Sequence, residues 1–214
     1  MNLRELDLHE LDRRALALTG GVVAQVKDDQ LPLPTPCPDW TLHGLLRHLV
    51  SQNEGFAAAA RGAGGSLSVW RRGDLGGDPR AAYEASAALV GEAFAEPGVL
   101  ERPFTLAEVR DGGSFPGRVA IGFHVLDYVV HAWDVAATIG APWEPGEELT
   151  AAALLIAERV PDEGRGPGAA FERRAPSPDD APPHHRLLAL LGRDPHWTGD
   201  PHWTGGPCWT GGPC

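Results

Sequence analysis

Apolar residues recur at every third or fourth position along much of the chain, which is the spacing of amphipathic helices. Asp78 followed by Pro79 is typical of a helix start, whereas Gly20 and Gly21 are expected to weaken the middle of the first helix. The spacing predicts a mainly helical chain, with helices over 8–27, 41–61, 78–95, a segment that ends at Gly140, 147–160 and a short closing segment, 186–191.

Two stretches lack the helical spacing. Between 98 and 117, glycine and proline interrupt the chain and Phe104, Leu106 and Val109 show a partial alternation, which predicts a loop with a short hairpin. Residues 162–183 are rich in proline, glycine and charged side chains, so we expect this segment to be irregular.

The segment 122–136, GFHVLDYVVHAWDVA, stands out because its polar residues form one line. At 100° per residue they share a narrow helix face, and nearly every other position is large and apolar. A helix that is apolar around most of its circumference is normally buried. Buried imidazoles and carboxylates are costly unless they are paired or bound to a metal. The segment therefore predicts a metal site in a helical bundle, and the line consists of His124, Asp127, His131 and Asp134.

Helix geometry limits which of these residues can share one ion. His124 and His131 are separated by roughly 10.5 Å along the axis, too far for both to bind one ion directly. Asp127 with His131, four residues apart, and His124 with Asp127, three apart, are the competing pairs. Either pair supplies two ligands, whereas a catalytic zinc-like site usually has three protein ligands and a water. The third ligand must come from another helix.

His48 is the best candidate for that third ligand, because it lies on the apolar side of the helix predicted over 41–61. Asp39 and Thr41 are candidate N-caps of this helix. Taken alone, a histidine on an apolar face is more typical of a hydrogen-bonded core residue. The histidine and aspartate line of the other helix favours the ligand role.

Three segments resemble a known family: PTPCPDWTLHGLLRHLV (34–50), FHVLDYVVHAWDVAATIG (123–140) and RLLALLGRDPHW (186–197). They are similar to actinobacterial metal-binding proteins related to mycothiol-dependent maleylpyruvate isomerase, in the DinB-like superfamily. The resemblance covers most of residues 1–197. It implies an all-α, DinB-like four-helix bundle with additional short C-terminal helices, ahead of an irregular tail over 198–214.

The resemblance also implies a ligand set. In the isomerase, a histidine of one helix and a Glu-x-x-x-His pair of another hold the metal, and these positions correspond here to His48, Asp127 and His131. Aspartate replaces glutamate, so this carboxylate reaches one methylene less far. His124 and Asp134 are then expected to support the ligands or to face the substrate. Asp134 either accepts a hydrogen bond from the ligating His131 or anchors a neighbouring arginine.

The resemblance, together with this ligand set, also implies a function: a zinc or nickel ion activates a mycothiol-type thiol, which reacts with a small electrophilic substrate. The alternative is a metal-binding or sensing module without turnover. The maleylpyruvate reaction itself is not carried over, because the isomerase has a separate C-terminal domain. The residues after Gly140 are too few and too interrupted for an independent core of much size.

Composition and charge limit the number of domains, the class of partner and the compartment that we expect. The 214 residues are 43% hydrophobic, which suits one domain, and the net charge of −11 argues against a nucleic-acid partner. No apolar run is long enough to span a membrane and the N-terminus lacks a signal-peptide pattern, so the cytoplasm is the expected compartment. Lys27 is the only lysine, so arginine supplies nearly all of the cationic side chains. This bias suits a GC-rich actinobacterial genome.

From position 196 the chain reads HWTGDP, HWTGGP, CWTGGP and a final cysteine. This repeat has three interpretations: an inert disordered tail, a metal-binding tail, or a peptide substrate attached to an enzyme. The residues that would bind metal or be modified recur every six positions and are His196, His202, Cys208 and Cys214.

A cysteine and a pair of histidines each lie just before a predicted helix. Cys37 lies among prolines, and we expect a small packed residue there rather than a reactive thiol near the metal. His184 and His185 are expected to flank the closing helix, and a metal role for them is the lesser alternative.

Overall fold

The computed structural model describes residues 5–38, 40–109, 112–166 and 171–199. Within these ranges no helix combines the length and the apolar character needed to cross a membrane. A short two-stranded antiparallel sheet joins β1 (Pro103–Thr105) to β2 (Ser114–Pro116), as the predicted hairpin requires. The helices of the described part are α1 (Leu8–Val23), α2 (Leu42–Ala60), α3 (Leu67–Trp70), α4 (Pro79–Phe94), α5 (Gly117–Ile139), α6 (Gly146–Ala157) and α7 (Pro183–Leu190).

Four long helices form the bundle. Helix α1 packs against α5 and α4, and α2 packs against the same two helices from the other side. Helices α6 and α7 pack against each other, and α6 covers part of α5. The all-α four-helix bundle predicted from the sequence is therefore confirmed, and α2 and α5, which carry the candidate ligands, are direct neighbours.

Capping residues fix where the bundle helices begin and end. The Asp78 carboxylate accepts a hydrogen bond from the Ala81 amide at 3.0 Å, and the Thr41 hydroxyl accepts one from the Gly44 amide at 3.2 Å. At the end of α5, Gly140 has a φ of 70°, the left-handed conformation that favours glycine at a helix C-terminus. Asp39, the other candidate cap of α2, lies outside the described residues.

The last two helices differ from the sequence prediction at their ends. Helix α6 ends at Ala157 instead of 160, and α7 begins at Pro183 instead of 186, which places His184 and His185 inside the helix that they were expected to flank.

The first and third helices also differ from the sequence prediction. Helix α1 ends at Val23 instead of 27, and a single 3-10 turn follows at Asp28–Gln30. Helix α3 was not predicted, because four residues are too short to show a period. Its Trp70 packs on Gly55 so closely that a Cβ there would lie 2.3 Å from the indole ring.

The tail prediction falls largely outside the described part of the chain. His196 is described, whereas His202, Cys208 and Cys214 lie in 200–214, which is not. The three interpretations of the repeat and the domain boundary at 197/198 stay predictions.

Candidate metal centre

A proline-rich turn ahead of α2 places an aromatic ring over the candidate centre. The buried Thr35 hydroxyl donates to the carbonyls of Cys37 and Trp40 at 2.8 and 3.0 Å. This bonding holds the turn closed, and the Trp40 ring lies against His48 with the ring centroids 4.3 Å apart. The same ring lies 5.6 Å from the ring of His131. Trp40 thus contacts a histidine on each of the two helices.

His48 of α2 meets Asp127 and His131 of α5 at this point. The ligand atoms of the three residues all lie within 4.8 Å of one another. One Asp127 oxygen, Oδ2, is 3.5 Å from His48 Nε2, and the other, Oδ1, is 3.3 Å from His131 Nε2. Of the two pairs left open by helix geometry, the structure brings together Asp127 and His131.

These distances suit a shared ion better than direct hydrogen bonds. A charge-assisted bond between an imidazole and a carboxylate is usually about 2.7–2.9 Å long. Two ligand atoms that are each about 2.1 Å from a tetrahedral ion lie roughly 3.4 Å apart. In addition, His48 Nε2 and Asp127 Oδ2 are two of the three buried side-chain polar atoms without a hydrogen-bond partner in the described residues. The donor set and its spacing therefore fit a divalent metal.

A series of polar contacts holds His131 at Nδ1, the ring nitrogen that does not face Asp127. Its Nδ1 lies 2.8 Å from Asp134 Oδ2, one turn along α5. Arg193 donates to both Asp134 oxygens, from Nη2 at 3.1 Å and from Nε at 3.4 Å, and its own Nη1 donates to the Leu191 carbonyl. Asp134 therefore plays both of the roles left open by the sequence, because it contacts His131 and anchors an arginine.

Electrostatic interactions favour the ionised forms of Asp127, His131 and Asp134. Burial opposes ionisation of Asp127, but the charge on His131 and the neighbouring His48 outweigh burial and lower the pKa of Asp127 well below its usual value. Burial likewise lowers the pKa of His131, yet Asp127 and Asp134 raise it to about 9. For Asp134, Arg193 and His131 outweigh burial and lower the pKa. The metal-free site is thus a buried array of alternating charges.

His124 lies elsewhere, in the core between α1, α2 and α5. Its side chain is fully buried, with Nδ1 2.6 Å from Asp12 Oδ1 and Nε2 3.2 Å from Asn53 Oδ1. Neither partner hydrogen-bonds a candidate ligand in the described residues. The expectation that His124 supports the ligands or faces the substrate is therefore corrected: it faces Asp12, which sequence reasoning missed.

The hydrogen-bond directions around His124 assign a proton to its Nε2 atom. Ser86 donates its hydroxyl hydrogen to the Tyr83 carbonyl, so it accepts from Asn53 Nδ2 at 2.9 Å. Asn53 consequently presents its oxygen to His124, and Asp12 presents a carboxylate. Nε2 of His124 therefore donates to Asn53, and Nδ1 shares a hydrogen bond with the Asp12 carboxyl group.

The candidate centre is partly open on one side. The side chains of His48 and Asp127 each remain 21% exposed, whereas His131 is only 4% exposed. Phe123, one turn before Asp127, is half-buried and packs edge-on against Phe115 with the ring centroids 5.4 Å apart. The exposed edge of the site thus includes a carboxylate and an imidazole.

The residues that sequence reasoning missed differ in how they could have been found. Asp12 is a carboxylate within the apolar stripe of α1, and this pattern alone marks it as a residue with a buried partner. Trp40 and Arg193 lie in irregular segments, where no period indicates which way a side chain points. Cys37 is half-buried, as a packed residue is expected to be, and its side chain lies near the Arg193 guanidinium.

Comparison with known proteins identifies relatives of this chain. Residues 13–136 match the model of the mycothiol maleylpyruvate isomerase N-terminal domain family. Two uncharacterized proteins of Mycobacterium tuberculosis, MT0763 of strain CDC 1551 / Oshkosh and Rv0738 of strain H37Rv, are each 37% identical over 182 residues, which is 85% of this chain and 94% of the relative.

The fold is similar to that of two solved structures, the crystal structure of the mycothiol-dependent maleylpyruvate isomerase and that of a histidine-to-alanine mutant of this enzyme. Each superimposes with a TM-score of 0.57 at 14% sequence identity, over 73% of this chain and 70% of the other. The predicted DinB-like fold is confirmed by this match, which at such identity bears on the fold alone.

Proposed function

This chain belongs to the mycothiol maleylpyruvate isomerase N-terminal domain family, and from that membership and the geometry of the site we propose that it is a metal-dependent enzyme of thiol transfer or isomerisation. In this proposal, His48, Asp127 and His131 hold a zinc or nickel ion. The second partner is a small-molecule thiol of the mycothiol type, and the substrate is a small electrophile. The enzyme works in the cytoplasm of an actinobacterium.

The observation that carries the proposal is the pair of buried atoms without hydrogen-bond partners, His48 Nε2 and Asp127 Oδ2. Buried polar atoms are rarely left without partners, and here they are spaced as ligands of one ion. The partial exposure of the same two side chains supports a site that a second molecule can approach. This exposure favours an enzyme over a sealed, purely structural metal site.

The residues around the site have distinct tasks. When bound, the metal would lower the pKa of a coordinated thiol and so supply a thiolate at neutral pH. Asp134 accepts a hydrogen bond from the Nδ1–H group of His131. This bond fixes the tautomer of the ring and directs Nε2 toward Asp127. Arg193 in turn keeps Asp134 ionised. Trp40 covers His48 and limits the approach of water to that ligand.

We expect the metal-free and metal-loaded proteins to respond differently to pH. The pKa of His131 is raised from 6.5 to about 9 in the folded protein. The stabilisation from the charged ring is therefore complete below pH 6.5 and is lost as the pH rises through about 9. With EDTA, the melting temperature should fall across this window. With metal bound, Nε2 is deprotonated throughout, so this fall should be absent.

His131→Gln, which cannot carry the charge, is the control for this experiment. The difference between the EDTA-treated wild type and this variant should shrink between pH 6.5 and 9. If the difference is constant over that range, His131 is not the titrating group.

The thiol step is tested by thermal shift of the metal-loaded full chain with mycothiol, glutathione and cysteine. A thiol that binds the folded protein at about 100 times its Kd should raise the melting temperature by roughly 5 °C or more. Mycothiol should do so, and the shift should disappear after chelation. If no thiol stabilises the metal-loaded protein, the thiol mechanism fails and the non-catalytic metal-binding module becomes the better description.

A further inference from the structure

A cavity of about 230 Å³ lies between α5 and α7, at the segment that joins α5 to α6. It is separate from the candidate metal centre, since none of the three candidate ligands lines it. Rings and small apolar side chains form most of its walls, which include Trp133, Ala137, Trp143, His184, His185 and Pro195.

The rings around the cavity are held by contacts with their neighbours. Trp143 Nε1 donates to the Val129 carbonyl at 3.2 Å, and Trp133 is only 8% exposed. The His184 ring lies edge-on to Trp143 with the centroids 6.4 Å apart, and His185 lies 4.5 Å from His184. Burial and the neighbouring histidines lower the pKa of His185, so this ring is uncharged at neutral pH. The cavity therefore presents aromatic surfaces, against which another aromatic ring packs well.

Each copy of the repeat that starts at 196 contains one tryptophan, and the three are Trp197, Trp203 and Trp209. Pro195, a wall of the cavity, directly precedes the first copy. His196, the first residue of that copy, already lies against the wall, with its ring centroid 5.4 Å from that of His185. Trp197 is half-buried but does not line the cavity. The cavity is therefore left for a tryptophan of a later copy, in 200–214, outside the described residues.

We propose that the indole ring of Trp203 occupies this cavity, so that the second copy of the repeat docks on the helical bundle of its own chain. A cavity of roughly 150 Å³ accommodates benzene, so the cavity of about 230 Å³ here suits the larger, two-ring indole. The proposed metal and thiol chemistry has no part in this docking.

The tether between the cavity and Trp203 is short. Trp203 follows Pro195 by eight residues, which span at most about 26–29 Å when extended. Gly199 has a φ of 94° and Pro201 follows, and both residue types suit a chain reversal. A short flexible tether gives an effective concentration in the millimolar range, so docking needs only a weak intrinsic affinity. The longer tether to Trp209 favours that ring less.

A ring in this cavity contacts α5 and α7 together, because both helices contribute walls. Pro195 comes two residues after Arg193, which donates to Asp134 of α5. The docked repeat therefore holds the closing segment of the described chain on the bundle.

The experiment is ¹⁹F NMR of the full-length protein with 5-fluorotryptophan at all seven tryptophan positions. The variants Trp203→Phe and Trp209→Phe assign the two resonances, and a thiol reductant keeps Cys208 and Cys214 unpaired. The Trp203 resonance should shift little between H₂O and D₂O, because the cavity shields its ring from solvent. The Trp209 resonance should show the full shift of an exposed ring. Equal shifts at the two positions would overturn the proposal.

Two variants of the wall test whether the cavity is what shields the ring. Ala137→Leu fills part of the cavity, and His184→Arg places a charge at its exposed wall. Each should raise the solvent shift of Trp203 to that of Trp209, whereas Ala82→Leu, at a half-buried alanine of α4 that does not line the cavity, should leave it unchanged. Shielding of Trp203 that survives both wall variants would overturn the proposal. So would shielding that is lost on dilution, which would place the ring in the cavity of a second copy.

Discussion

Replacing His131 with alanine is expected to abolish stoichiometric zinc or nickel binding. The substitution removes one of three proposed ligands and leaves Asp127 and His48 without the partner that completes the set. Loss of a ligand should weaken binding at least about a hundredfold, since even the groups behind ligands contribute about 10–100-fold. Metal analysis of dialysed protein measures the loss, and activity with any thiol should disappear with the metal.

His43→Ala is the matched control, because His43 is on the same helix as His48 and is half-buried. Its metal content should equal that of the wild type. Retention of one tightly bound ion at the candidate centre in His131→Ala would refute the assignment of this ligand.

The second large effect is expected at His124 and concerns stability. His124→Ala should reduce the free energy of unfolding by about 3–5 kcal/mol, because it leaves the Asp12 carboxylate buried without its hydrogen-bonded partner. Ring contacts are lost as well, since His124 stacks on Tyr128 with the centroids 4.1 Å apart. Urea unfolding followed by circular dichroism measures the change. The folded fraction should still bind metal at the candidate centre.

A double-mutant cycle separates the energy of the Asp12–His124 interaction from the cost of the cavity that each substitution leaves. Replacing both partners, as Asp12→Leu/His124→Leu, should cost much less than the sum of the two single changes, because no unpaired charge remains in the core. Additive losses, or a loss below about 1 kcal/mol for His124→Ala, would contradict the buried pairing of Asp12 with His124.

The bundle and one part of its site could be predicted because they depend on periodicity. The apolar spacing marked α2, α4 and α5 nearly to their ends, and the i, i+4 relation made Asp127 and His131 a natural pair. A helical wheel gives the direction of a side chain but not its height along the bundle. His124 and His131 share a face, yet at their two heights they meet different partners. His124 meets Asp12 of α1 and Asn53 of α2, whereas His131 meets His48 of α2.

The rest depends on segments that have no period. Trp40 reaches the centre through a turn held by the Thr35 hydroxyl, and Arg193 arrives after the close approach of Gly192 to Glu172. The position of Trp40 is set by hydrogen bonds within a short turn, and that of Arg193 by packing against a segment distant in the chain. A single sequence contains no pattern that orients such side chains.

The contact between Arg193 and Asp134 has a consequence for the order of events during synthesis. The two residues are 59 positions apart in the chain. At ribosomal rates of about 5–20 residues per second, the guanidinium is added roughly 3–12 s after the carboxylate. During that interval the nascent α5 holds an acidic group without its counter-charge, and His131 lacks the second anchor of its orientation. We therefore expect the proposed metal to bind selectively only after Arg193 has docked.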